Sequence, residues 1–71
     1  MSKTGAWELV VINESTGEEW SDYFIAFNDV IPAFTQWKLR IARYARAGED
    51  WVIQIFNNGV IDRSVRIGRE E

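Results

Sequence analysis

The sequence predicts an α+β fold, ββαββ: a four-stranded antiparallel sheet made of two hairpins, with one α-helix packed on one face. Three observations lead there. Ile and Val total fourteen residues against two Leu, and ten of the 71 residues are aromatic, a balance that suits the half-buried surface of a sheet. Two glycine-containing turn signals, Ser15-Thr16-Gly17 and Asn57-Asn58-Gly59, each separate a pair of alternating apolar segments. Between the two pairs runs a single stretch whose apolar residues recur at three and four.

The first strand is expected over residues 6–14 and the second over Glu19 to Phe27, joined by a loop of three residues in which Gly17 takes a positive φ. Ser15 and Glu18 have the spacing of a helix capping box, but no helical period follows them. The helix is expected over residues 30–47. Asn28 and Asp29 supply its cap, Pro32 lies in its first turn, and Gly48 follows its end. Val30, Phe34, Trp37, Ile41, Tyr44 and Ala45 form its apolar stripe. The third strand spans Asp50 to Asn57 and the fourth Val60 to about Gly68. Strands two and three must run the same way, which allows the all-antiparallel orders 2-1-3-4 and 1-2-4-3. The whole of residues 1–71 reads as one domain, with 1–5 and 69–71 expected to fray.

Three-residue loops in both hairpins would put Trp7, Leu9, Val11, Tyr23, Ile25 and Phe27 of the first hairpin on the core face. Trp51, Ile53, Ile55, Ile61, Val65 and Ile67 would join them from the second. Arg63 falls on that face too, so it is expected near a sheet edge, snorkelling or paired with a carboxylate. The opposite face would then carry Val10, Ile12, Trp20, Phe24, Val52, Phe56 and Val60. So much apolar surface on a face that no helix covers implies a partner.

Composition excludes much chemistry. There is no Cys, hence no disulfide or thiolate metal site, and no His, the side chain that titrates nearest neutrality. Ser15, Ser21 and Ser64 have no histidine base, and Lys3 and Lys38 sit in no nucleophile motif. Glu18, Glu19 and Asp22 are divided between two faces by strand alternation, so they make no convergent metal site. The glycines form no phosphate loop. No enzyme activity, cofactor, metal or small-molecule substrate is expected. No apolar run reaches the ~18 residues of a membrane helix, and the start Met-Ser-Lys-Thr-Gly lacks a signal-peptide pattern, so a cytoplasmic protein without membrane contact is expected.

The net charge of −3 is unevenly spread. Residues 1–34 carry six acids and the single Lys3, whereas Lys38, Arg40, Arg43 and Arg46 line the outward arc of the helix around Leu39. Arg66 adds a further cation. The leading expectation is a non-catalytic protein-interaction module, a homodimer or a docking partner of another protein, acting through the face opposite the helix. Small single-domain inhibitors and accessory factors of the phage type have this general compositional character, though no motif assigns a family. The alternative is single-stranded nucleic-acid binding, or an acidic partner, through Lys38, Leu39, Arg40, Arg43, Arg46 and Arg66 with exposed aromatics.

Overall fold

The computed structural model describes residues 6–46 and 48–68. The segments expected to fray, with Lys3 and Arg69, lie outside the described residues. The order of elements is β1 (Trp7–Asn13), β2 (Glu18–Phe24), α1 (Phe27–Tyr44), β3 (Asp50–Asn57) and β4 (Val60–Gly68). All strand pairs are antiparallel, in the order β2-β1-β3-β4, which selects the first of the two permitted arrangements.

The first hairpin loop has four residues, 14–17, one more than expected. Asn13 builds it. The Asn13 Oδ1 accepts the backbone N–H groups of Ser15 at 3.0 Å and Thr16 at 3.3 Å, while the Asn13 carbonyl accepts that of Gly17 at 2.7 Å. Gly17 takes a φ of +84°, a conformation that side chains with a Cβ resist. The second hairpin has a two-residue loop. Asn58 and Gly59 both have positive φ, 53° and 83°, as a type I′ turn demands. The loop sets Asn57 opposite Val60 and Phe56 opposite Ile61, and an irregularity between Ile55 and Phe56 then shifts the pairing, so that Ile55 faces Arg63.

Helix α1 begins and ends three residues earlier than the pattern suggested. Its cap is Ala26, in extended conformation, with no side-chain hydrogen bond, so Asn28 and Asp29 fall inside the first turn. The start is anchored instead by packing: the Phe27 ring lies 4.7 Å from that of Trp7. Pro32 is consequently the sixth helical residue rather than part of the first turn, and it is exposed, so the carbonyl its ring leaves unpartnered can meet water. The helix ends at Tyr44 with Ala45 as cap. Gly48 supplies a positive φ of 86° in the following turn and does not cap the helix itself.

The helix lies on β1 and β2. Val30 and Ile41 are fully buried beneath it with Leu9, Val11, Ile53 and Ile55, while Phe34 and Trp37 pack against this core half-exposed. Full burial of each such aliphatic side chain contributes about 1.5–3 kcal/mol. Tyr44, assigned to the stripe by its spacing, is 71% exposed, although Ile41 and Ala45 on either side of it are buried in the core. Arg63 meets its expectation on the edge strand β4: its Nε donates to the Asp62 carboxylate at 3.2 Å, and its guanidinium sits 5.7 Å from the centre of the Phe27 ring.

Candidate functional surfaces

Pairing fixes which residues share a face, because directly opposed residues point the same way. With Val11 opposite Trp20 and Trp7 opposite Phe24, these two aromatics of β2 lie on the helix-covered side. This corrects their expected placement on the uncovered face. The cause is the fourth loop residue, since a slip of one turns every side chain of a strand over. Tyr23, expected in the core, is correspondingly on the uncovered face, and Ile25, beyond the end of β2, is 80% exposed. The two-residue second loop likewise puts Val60 beside Asn57 on the helix side and brings Ile61 opposite Phe56 on the other.

Four of the seven residues expected on the uncovered face are therefore there: Val10, Ile12, Val52 and Phe56. They lie in three rows across the sheet, read from β2 to β4. One row is Tyr23, Glu8, Phe56 and Ile61; the next is Ser21, Val10, Gln54 and Ser64; the third is Glu19, Ile12, Val52 and Arg66. Val10, Ile12, Val52 and Phe56 lie on the two central strands with Glu8 and Gln54 among them, and the flanks are polar apart from Ile61 and the ring of Tyr23. Neighbouring side chains shelter the stripe: Val52 is only 6% exposed, Val10, Ile12 and Phe56 are half-buried, and Tyr23 and Ile61 are the most open.

Charge is ordered across this face. Glu8 lies beside Tyr23, whose hydroxyl it accepts; that hydrogen bond, the negative charge of Glu8 and partial burial raise the tyrosine above its ordinary value of 10.0. Glu19 stands on the β2 flank and Arg66 on the β4 flank. Arg66 donates both terminal guanidinium nitrogens to the Glu14 carboxylate.

The helix side carries a different feature. Trp20, moved there by the register, stacks on Trp51 with ring centres 5.7 Å apart and planes 12° from parallel. It also meets Trp37 at 5.4 Å. These three tryptophans, with Arg40, Ile41, Tyr44 and Ala45, line an open groove of about 220 Å³. The Arg40 guanidinium sits 4.8 Å from the centre of the Trp37 ring. An adjoining hollow of about 280 Å³ is lined by Gln36, Leu39, Arg40, Arg43 and Tyr44. Of the expected basic surface, then, Leu39, Arg40 and Arg43 come together. Lys38 instead lies 5.0 Å from the Phe34 ring centre, Arg46 is beyond the helix end, and Arg66 is on the opposite side of the sheet.

A polar cluster that the sequence did not reveal joins the ends of three elements. Glu49 Oε1 accepts the Arg46 backbone N–H at 2.9 Å and the Trp51 Nε1–H at 3.3 Å. The Asn13 side chain, 3% exposed, donates to the same carboxylate. The backbone bond from Arg46 is the main reason Glu49 is held below its ordinary value of 4.5, with the bonds from Trp51 and Asn13 and the charge of Arg46 adding to it against the effect of burial. The available signal was Asn13 itself, placed directly before a polar, glycine-ended loop, where an Asn side chain closes turns.

Among the described residues no group of three or more His, Cys, Asp or Glu is placed to hold a metal ion. None of the described helices is long and apolar enough to cross a membrane. No protein-family model, curated protein or solved structure matches the chain.

Proposed function

We propose that this chain is a non-catalytic protein-interaction module that associates with a second copy of itself through the sheet face opposite the helix. What supports the reading is one observation: Val10, Ile12, Val52 and Phe56 form an apolar stripe along the two central strands, extended by Ile61, and no described element lies over it. A solvated sheet face alternates apolar-in with polar-out and needs no such stripe. Apposition of two copies buries it in a closed pair, the commonest form of oligomer. An accessory or inhibitory role toward a different protein would use the same face. Light scattering after size exclusion at tens of micromolar is the test. A species of twice the 8.3 kDa chain mass is expected, and a clean monomer overturns the self-association.

A second reading, single-stranded nucleic-acid binding, rests on the tryptophan groove and its neighbouring guanidiniums. Bases stack on indole faces and phosphates pair with Arg40 and Arg43. Titration of the intrinsic tryptophan fluorescence with an oligonucleotide at low salt tests it, because three of the four tryptophans line the groove. Quenching that weakens with salt supports the reading, and unchanged fluorescence at low salt removes it.

A further inference from the structure

We infer that the two copies are related by a two-fold axis running along the strands, which sets Glu19 of each copy over Arg66 of the other. The inference rests on the self-association proposed above and specifies its geometry. In the aligned class of sheet packing, two sheets face to face keep their strands within about 30° of each other. Two in-plane two-fold axes satisfy this, one along the strands and one across them.

The charge order of the face distinguishes the two. An axis along the strands, between β1 and β3, lays each row on its own reverse. The row Glu19, Ile12, Val52, Arg66 then meets Arg66, Val52, Ile12, Glu19. Both acids face bases and the apolar pairs coincide. In the neighbouring row Ser21 meets Ser64, two small hydroxyls that permit close approach. An axis across the strands instead stacks β2 on β2 and β4 on β4. It brings Glu19 toward the acidic flank where Tyr23 holds Glu8, and leaves Arg66 over Ile61.

Four strands ~4.8 Å apart and three rows ~6.7 Å apart present roughly 20 by 20 Å of projected face, about 400 Å² per copy, which is about half of a standard interface and in the range of weak, transient pairs. In a contact that small, the two symmetry-related charge pairs decide which arrangement forms. Glu19 and Arg66 are both exposed in the single chain, and Arg66 keeps a side-chain exposure of 62% beside Glu14, so its guanidinium remains open to a second carboxylate.

Sedimentation equilibrium on the wild type, Glu19→Arg, Arg66→Glu and the double variant tests the axis. Each single reversal converts two attractive pairs into two repulsive ones and should raise the dimer dissociation constant by about tenfold or more. The double variant retains the wild-type net charge and restores both pairs with their signs exchanged, so it should return to within about threefold of wild type. The clash that Glu at position 66 makes with Glu14 is common to Arg66→Glu and the double variant, and so does not mimic the recovery. A wild-type dimer indifferent to the single reversals, or a double variant as weak as the sum of the singles, overturns the axis while self-association stands. A wild type that stays monomeric at tens of micromolar overturns both.

Discussion

Replacement of Asn13 by Ala tests whether one buried amide sets the register of the first hairpin. Its side chain accepts the Ser15 N–H at 3.0 Å and shares the Thr16 N–H, which lies 3.3 Å from both Oδ1 and the Asn13 carbonyl oxygen. A typical intramolecular hydrogen bond contributes ~1 kcal/mol net, and the shared one contributes less, so the turn alone should lose about 1–2 kcal/mol. Loss of the donor to Glu49 adds to this. A chain of this size has on the order of 4–10 kcal/mol of stability in total, so the effect is a substantial fraction of it. Urea unfolding followed by tryptophan fluorescence, at one protein concentration for both chains, should show the midpoint falling by about 1–2 M for an m-value near 1 kcal/mol/M. Asn13→Asp separates the two roles. It keeps the acceptor for the loop but sets a carboxylate against Glu49, so its deficit should be large at pH 7 and shrink as acid neutralises the pair. A midpoint within about 0.3 M of wild type for Asn13→Ala would refute the argument that this amide organises the loop.

Four further outcomes are expected. Because Glu49 binds its proton less readily in the folded chain than its ordinary value of 4.5 implies, its contribution is complete above that pH and lost as pH falls through the lowered value. Thermal melts of Glu49→Gln should therefore show a shallower loss of stability between pH 5 and 3 than the wild type. Trp20→Ala should lower the urea midpoint through lost contact with Trp37 and Trp51, by less than the ~3–5 kcal/mol of a fully buried aromatic because Trp20 is 39% exposed, and should leave association unchanged. Phe56→Ala, which truncates a half-buried aromatic on β3, should also lower the melt and should differ from Trp20→Ala in weakening the dimer in sedimentation. Finally, Gly59→Ala should cost about 1–2 kcal/mol in chemical unfolding, since the residue holds a φ of +83° although no atom obstructs an added Cβ.

Legibility in the sequence varied by element for identifiable reasons. The bounds of β3 and β4 follow from Asn57-Asn58-Gly59, because few residue pairs tolerate two successive positive φ values. The helix is legible from Val30, Phe34, Trp37, Ile41 and Ala45, all buried or half-buried on one side. Its ends were not, because the start is held by Phe27 packing on Trp7 and the exit by Glu49, contacts between segments distant in sequence or beyond the helical period. Arg63 was legible because a lone cation in an apolar alternation has to reach an edge. Half of the candidate surface was legible in the same way: Val10, Ile12, Val52 and Phe56 lie on central strands whose faces are set by the buried Leu9, Val11, Ile53 and Ile55.

Trp20 and Phe24 show where pattern reading ends. Read as Glu19–Phe27, the second strand has apolar residues on both faces, Trp20 and Phe24 on one and Tyr23, Ile25 and Phe27 on the other, so either could be inward. Composition, turn chemistry and periodicity determined two hairpins around one helix, an absence of Cys- or His-based chemistry, and a surplus of apolar surface. Tertiary structure decided the order β2-β1-β3-β4 and, through the Asn13 loop and the tryptophan cluster, which side of β2 faces the helix. The physical reason is that strand periodicity is two: a single loop residue, worth little energy locally, exchanges every side chain between core and surface, and only the partners waiting on each side settle the choice.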